Sequence, residues 1–496
     1  MPQDEMFLEQ LCPREHLNFM TQLRLHSWDK EKQQCRVEKV IQEMKLEGVA
    51  DSMIGNQAAE AGLTRNERKR LNFATETLTE PSLLYVDEPT TGLDSVMAAN
   101  VVDILKRMAV GSDEYPQKRT VICTIHQPST EIYTTFDKLY FIVDGRAAFF
   151  GPTRDVADYF ARLGHPMPES NSNPADFAME LFVDPSNRVA AAARRQRLCD
   201  AYTTTLKPPD SYSDAHTTFT AKVAAVTSAS WVVQFRVLLA RDYVMRSRMP
   251  ILSIAVVVRN AVLGLLMGLV LMGNDMSQTY VYSVTGSLFF GIAAQIMPTA
   301  ICHIATLPQQ LPCVIREIRS NGYSAAPYFL AKFLADIPID LVASLTFSSL
   351  LMFLSGMAND TFTTWLKVSL VLFMSSFLGN AIGQWGSILA PPDTPFVGLV
   401  VVLLMVIPQF LFCGILILLD KIPVWWAWMA EITMFRYCLE LLMMAQWRGY
   451  GSIPCEYLKA GDVKVEICPF PDGSAVLDFY GFGVSTTRCV LVILAW

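Results

Sequence analysis

Leu83-Leu84-Tyr85-Val86-Asp87-Glu88-Pro89-Thr90-Thr91-Gly92-Leu93-Asp94-Ser95 is the stretch that decides how this chain is read. An apolar run of strand length ends in two adjacent carboxylates, and a turn rich in Pro, Thr and Gly follows. A buried strand that ends this way can hold a hydrated Mg²⁺ with Asp87 and orient a water with Glu88. Mg²⁺ on nucleotide phosphates takes one or two carboxylates and keeps several waters, so the pattern suits nucleotide hydrolysis. The glycine-rich loop that cradles phosphates, G-x-x-x-x-G-K-[ST], would be expected upstream, and the sequence contains no Gly-Lys pair. The back half of a nucleotide site is present and the front half is not.

Around that stretch the chain reads as α/β from residue 1 to 185. Helical periodicity over Gln34–Lys45 and Ser95–Ala109 alternates with short strands at Leu83–Val86, Thr120–Thr124 and Lys138–Val143, which predicts a parallel sheet with helices against it. Residues 186–228 are polar, rich in Ala, Thr, Ser and Pro, with a basic cluster at Arg194, Arg195 and Arg197; they read as a linker. Residues 229–250 read as a basic amphipathic helix, with Trp231, Phe235, Leu238 and Tyr243 set among Arg236, Arg241, Arg246 and Arg248. Such a helix lies on a membrane surface, or turns its basic face to solvent.

The whole chain has 496 residues, 52% of them hydrophobic, and a mean hydropathy of +0.29, more apolar than a soluble domain needs. The excess lies after Ile251. Spans near 251–272, 281–303, 328–354, 364–389 and 396–419 are each long enough to cross a hydrocarbon core of about 30 Å, and a sixth begins near Thr486 and stops at Trp496. Arg and Lys orient them: Arg236–Arg248 precede the first span, Arg316 and Arg319 lie between the second and third, and the short loops at Asn274–Gln278 and Gly356–Thr364 carry neither. The positive-inside rule therefore puts the N-terminal part in the cytoplasm. The sequon Asn359-Asp360-Thr361 falls in a loop assigned outside, which agrees.

The segment 420–485 is then outside as well, where Cys455 and Cys468 could form a disulfide or remain free thiols. Within it, Pro423–Trp447 is aromatic-rich but interrupted by Glu431, Arg436 and Glu440, which predicts a re-entrant or interfacial helical hairpin rather than a crossing. A net charge of −7 without a basic tract gives no nucleic-acid footprint, and eleven scattered cysteines without a C-x-x-C pair argue against a zinc module. Residues 1–25 carry Asp4, Glu5, Glu9, Arg14 and Glu15 and show no secretory signal.

Pro2-Gln3-Asp4-Glu5, Leu63-Thr64-Arg65-Asn66-Glu67-Arg68-Lys69-Arg70-Leu71, Leu83–Asp94 and Thr124-Ile125-His126-Gln127-Pro128-Ser129 follow one another in a fixed order. With the membrane half, and with Asn173-Pro174-Ala175-Asp176-Phe177 and Ser324–Lys332, this order resembles the White-type half-transporters, the G subfamily of ABC transporters. The resemblance covers nearly the whole chain. It implies an incomplete α/β P-loop-type ABC nucleotide-binding domain over 1–185, followed over 251–496 by an all-α transmembrane domain of six helices, the sixth cut short. It also implies ATP and Mg²⁺ as cofactors, and a second half-transporter, the same or different, as partner. An apolar or amphipathic small molecule would cross a plasma or organelle membrane, pigment precursors, sterols and drugs being handled within the family.

The same resemblance assigns roles. Gln3 resembles the Q-loop amide that ligates Mg²⁺ and senses the γ-phosphate; Asp87 the Mg²⁺ carboxylate; Glu88 the base on the attacking water; Asp94 the D-loop residue; His126 the switch histidine. Two departures stand out. Where the family has Ser-Gly-Gly in the signature turn that contacts ATP of the opposite domain, this chain has Thr64-Arg65-Asn66, followed by Glu67. Arg65 can hold phosphate by charge or spoil the composite site by bulk, and a degenerate, slow site is the expectation. The second departure is truncation: the family's first strand and Walker A lysine would precede Gln3, which predicts an incomplete gene product or, as an alternative function, a non-hydrolysing regulatory subunit. In the membrane half the resemblance puts Phe289, Phe290, Gln295 and Met297 on a central cavity and Gly414-Ile415-Leu416 at an apolar plug. Arg316–Arg319 resembles a short cytoplasmic coupling helix.

Overall fold

The computed structural model describes residues 6–56, 61–111, 118–168, 173–183, 188–205, 229–273, 277–357, 361–390, 394–460, 463–483 and 485–495, and the chain divides into two units, Met1–Ser230 and Trp231–Trp496. Gln3, the rest of the Pro2–Glu5 motif and the sequon's Asn359 and Asp360 lie outside the described residues.

In the first unit, α1 (Pro13–Arg24), α2 (Lys30–Glu43) and α3 (Arg65–Thr77) pack through Leu17, Met20, Val37, Val40, Ile41, Leu71 and Phe73. A minimal hairpin, β1 (Gly55–Asn56) and β2 (Ala61–Gly62), precedes α3. β3 (Leu83–Val86) runs parallel to β4 (Thr120–Cys123), with Leu83 opposite Thr120 and Val86 opposite Cys123. The crossover between them is α4 (Ser95–Val110), capped by the Asp94 carboxylate at its start and ended by Gly111 at φ 83°. After α5 (Thr130–Thr135), β5 (Lys138–Val143) and β6 (Arg146–Pro152) form an antiparallel hairpin. Its turn, Asp144-Gly145, has φ of 48° and 75°, the left-handed pair that matches strand twist in a two-residue turn.

Two sequence expectations change here. The strand carrying the acid pair is not buried on both faces: Leu84 and Val86 are covered, while Leu83 and Tyr85 are 42% and 60% exposed. Among the described residues this sheet has two strands, and one of its faces has no layer against it. The expected linker also begins as structure. After α6 (Val156–Arg162) and α7 (Pro174–Phe182), residues Arg188–Thr205 form α8, whose Leu198 and Cys199 join the aromatic core of Phe149, Phe160, Phe177 and Phe182. Arg195 and Arg146 pin it through Asp144 and Asp200, at 2.7 Å and 2.6 Å. The apolar contacts that make 188–205 a helix are long-range, so its polar composition hid them. Residues 206–228 lie outside the described part.

The second unit opens with α9 (Trp231–Ser247), then α10 (Pro250–Leu271), α11 (Gln278–Arg319), α12 (Ala325–Ser355) and α13 (Thr361–Leu389). Among the described residues the last four of these, α13 from Phe362 onward, are long and apolar enough to cross a membrane. Close packing in lipid relies on small residues rather than on apolar burial. A Cβ on Gly264 or Gly268 of α10 would sit 2.8 Å from Phe347 O or 2.7 Å from Leu350 O of α12. Likewise a Cβ on Gly379 or Gly383 of α13 would sit 2.6 Å from Ile296 O or 2.7 Å from Ala300 O of α11. Each pair is four residues apart, so one helix face approaches its neighbour's backbone twice.

Two further boundaries differ. α11 does not stop near residue 303; it continues unbroken through Pro298, Pro308 and Pro312 to Arg319, so Arg316–Arg319 is its last turn and not a separate coupling helix. Its 42 residues measure about 63 Å, roughly twice a hydrocarbon core. The fifth span is shorter than 396–419: α14 is Pro395–Leu411, and a bend at Phe412–Leu418 follows, with Gly414 at φ 97°.

Beyond that bend the expected helical segment is two consecutive helices, α15 (Ala427–Ile432) and α16 (Met434–Trp447), separated by Thr433. At 14 residues α16 spans about 21 Å, too little for a crossing, and nearly every residue of it is buried. β7 (Glu456–Ala460) and β8 (Val463–Ile467) pair antiparallel, and Cys455 and Cys468 at the open end of that hairpin are joined as a disulfide, Cα atoms 4.9 Å apart. Gln278, the first residue of α11, donates to Pro454 O and Phe470 O at 3.0 Å and 2.9 Å and accepts from the Phe470 N–H at 2.9 Å, which fixes this segment on the bundle. α17 (Gly473–Tyr480) and α18 (Thr486–Ala495) pack on α16.

Candidate functional site

The C-terminal ends of parallel strands are where open α/β sheets bind ligands. Here the ends of β3 and β4 are tied together by one hydroxyl. Thr124 Oγ1 donates to Asp87 Oδ1 at 2.6 Å and accepts the Glu88 N–H at 2.9 Å. Glu88 has φ 43°, a left-handed backbone that a residue with a Cβ adopts at a cost of about 1–3 kcal/mol. The Thr91 hydroxyl donates to Glu88 Oε2 at 3.0 Å. Thus the turn that follows the strand, rather than the strand itself, aims the second carboxylate. Gln127, beside His126, shows a second left-handed φ, of 45°. Asp87 and His126 are exposed and Glu88 is half-buried. Burial pushes the thiol of Cys123, at the end of β4, up to about 11.

The turn Thr64–Glu67 comes to the same place. Thr64 caps α3, and Glu67 reaches back to the Thr64 N–H and hydroxyl at 2.8 Å and 2.7 Å, a reciprocal box that fills the helix start. Arg65 lays its guanidinium over Gly92, donating to Gly92 O at 3.4 Å, and Asn66 meets Met97. Gly92 sits at φ 74°, and a Cβ there would run into Arg65 Nη1 at 2.3 Å. Lys69, buried on α3, donates to Pro89 O and Thr91 O at 3.1 Å and 2.7 Å, so the helix and the loop after Glu88 are held as one piece. Asp94 caps α4 through one carboxylate oxygen, Oδ1 accepting from the Val96 and Met97 N–H groups at 3.0 Å and 2.9 Å, and the side chain is exposed. Sequence reasoning quoted Thr124 and Lys69 without assigning them; a hydroxyl and an ammonium beside an acid pair were the available signal. Asn173 was also underread: its amide donates to Pro128 O at 2.6 Å and fixes the end of the His126 loop.

In the membrane unit the expected cavity residues separate. Phe290 is exposed and Met297 half-buried, both on α11. Gln295 does not face a cavity; it is buried and donates to Asn260 Oδ1 of α10 at 2.7 Å, because a lone amide inside an apolar bundle seeks a polar partner. Ile415 packs on the core and Leu416 is exposed, in the bend after α14. The amphipathic reading of α9 is corrected in the same way. Arg241 is not on a solvent face but buried, paired with Glu317 at the end of α11.

Residues 233–447 match the family described as ABC-2 type transporter, and residues 126–198 match a second family of that description. Protein white of Ceratitis capitata is 32% identical over 97% of this chain and 72% of its own length. The chain belongs to the White-type half-transporters of the ABC transporter G subfamily. Protein scarlet of Drosophila melanogaster is 30% identical over the same shares, 97% and 72%. The broad substrate specificity ATP-binding cassette transporter ABCG2 of Sus scrofa is 30% identical over 91% of this chain and 72% of its own. This half-transporter is therefore a multi-pass membrane protein of the ABC transporter family, as its apolar helices require.

Proposed function

We propose that this half-transporter is one subunit of an ATP-driven pump that works as a dimer and moves an apolar or amphipathic small molecule across a membrane. The observation that carries the proposal is the Thr124 hydroxyl bridging Asp87 and the Glu88 backbone at the end of a parallel strand pair. The donor set fits Mg²⁺: one exposed carboxylate, with one oxygen engaged by Thr124, leaves room for a hydrated ion. When bound, the ion would supply charge neutralisation at the nucleotide phosphates.

Asp87 would hold the ion, and Glu88, aimed by Thr91, would accept a proton from the attacking water. His126 and Gln3 would contact the terminal phosphate. Thr64, Arg65, Asn66 and Glu67 would face nucleotide held by the second subunit, and Asp94 would be the point where the two nucleotide units meet. The reciprocal Thr64–Glu67 box and the Arg65–Gly92 contact support a slow composite site, since the helix start is already occupied from within the chain. The basic residues before α10 and at the end of α11 support a cytoplasmic N-terminal unit. The four long spans, with α14 as a shorter apolar helix beside them, support a multi-helix membrane domain.

The test is phosphate release from Mg²⁺-ATP by the full chain in lipid nanodiscs. Glu88→Gln should lower the rate by about 10²-fold or more, the loss expected when a general base is removed. Equal rates in the two proteins would contradict the proposal.

A further inference from the structure

The membrane unit holds a polar chain across three helices for which the nucleotide site has no use. Asp340 of α12 is 7% exposed, and its Oδ2 accepts from Asn380 Nδ2 of α13 at 3.0 Å. The other end of that amide, Asn380 Oδ1, lies 2.6 Å from His303 Nε2 of α11. Because the first bond fixes the amide's orientation, His303 Nε2 carries the hydrogen. The same nitrogen lies 3.6 Å from Asp336 Oδ2, one turn before Asp340. His303 Nδ1 and Asp336 Oδ2 are buried without a hydrogen-bond partner.

The two acids differ in what balances them. Asp336 is ion-paired with Arg246 of α9. Asp340 forms no ion pair among the described residues; Asp336, Arg246 and Arg259 act on it through space, and Asn380 and Ser376 by hydrogen bonds. The charged and titratable groups facing the chain are Arg246 from α9, Arg259 from α10, Cys302 from α11 and Lys332 from α12, while α13 brings the neutral Ser376, Asn380 and Ser387. Ionisable residues inside a membrane bundle are costly and mark ion or proton paths. A buried charge without a directly paired counter-ion is relieved when the group takes up a proton.

We propose that Asp340 is a proton-binding site of this transporter, connected through Asn380 and His303 to Asp336. A proton from water bonds to the Asp340 carboxylate, no other covalent bond breaks, and the site's charge changes from −1 to 0. The Asn380 bond then loses its ionised acceptor, and such bonds are roughly twice as strong as neutral ones. Contact between α12 and α13 therefore weakens at acid pH and tightens at neutral pH.

The full chain in lipid nanodiscs, examined by infrared difference spectroscopy over about pH 5–8, tests this directly, with the proton itself as the probe. The wild type should show one carboxylic-acid carbonyl band that shifts in D₂O, disappears in Asp340→Asn, is displaced in Asn380→Leu and persists in Asp336→Asn. Asp340→Glu keeps a carboxyl at the position, and its band should be displaced; this variant serves if Asp340→Asn does not fold. Absence of such a band in the wild type, its survival in Asp340→Asn, or an unmoved band in Asp340→Glu would overturn the proposal.

Discussion

Arg241 Nη1 of α9 donates to Glu317 Oε2 at the end of α11 at 2.8 Å, with both side chains 2% exposed. The same guanidinium reaches the Tyr323 hydroxyl at 3.2 Å, and Tyr323 donates its hydrogen to Glu317. Burial pushes the Tyr323 phenol well above its usual range, so it remains a neutral donor at any physiological pH. The three residues bind the helix that enters the membrane unit to the far end of its longest span.

Removing one member of such a pair leaves a charge buried without its counterpart, whereas replacing both by apolar residues is often neutral. Arg241→Met should lower the stability of the full chain by about 3–5 kcal/mol. Arg241→Met with Glu317→Met should recover most of that loss. Thermal unfolding in detergent micelles, followed for the wild type, the single variant and the double variant, measures both.

Thr124 is a positioning residue, because it acts through Asp87 and Glu88. Thr124→Val keeps the shape and removes the hydroxyl, freeing Glu88 from the left-handed conformation that the bond enforces. Stability should change by no more than about 1 kcal/mol, the worth of an exposed hydrogen bond. Mg²⁺-ATP turnover should fall at least about tenfold, since a small misplacement of a catalytic group is costly. Thr124→Ser should restore it. Turnover of the two variants side by side separates a positioning role from a structural one.

Helix contact through glycine gives a third expectation. Gly383→Val would drive a side chain into Ala300 O and His303 Cβ, both within 3 Å of an added Cβ. Overpacking of this kind costs about 1–3 kcal/mol. Gly286→Val, on α11 and with nothing within 4 Å of an added Cβ, should be close to neutral. Unfolding midpoints of the two variants in one lipid environment give the comparison.

How far the sequence carries depends on whether the decisive contact is local. β3 and α4 were legible because an apolar run, a Gly turn and an Asp cap lie within the same dozen residues. α8 was not, as its stabilising contacts come from a core built by β6 and α7. Arg241 read as a surface cation, since its partner lies 76 residues away. Gln295 read as a cavity residue because nothing in its own helix announces Asn260. At the nucleotide-type site the acid pair was visible, but the Thr124 bridge spans 37 residues and depends on the parallel register of β3 and β4. Asp336 and Asp340 stood in plain view within an apolar span, and only their neighbours on α11 and α13 give them meaning.

Equilibrium binding of a fluorescent ATP analogue to the full chain in lipid nanodiscs, with and without Mg²⁺, tests the account most directly. The wild type should bind more tightly with Mg²⁺ than without, and Asp87→Ala should lose at least about tenfold of the Mg²⁺-dependent affinity, the equivalent of roughly 1.4 kcal/mol. Binding that Mg²⁺ does not strengthen, or that Asp87→Ala leaves unchanged, would contradict it.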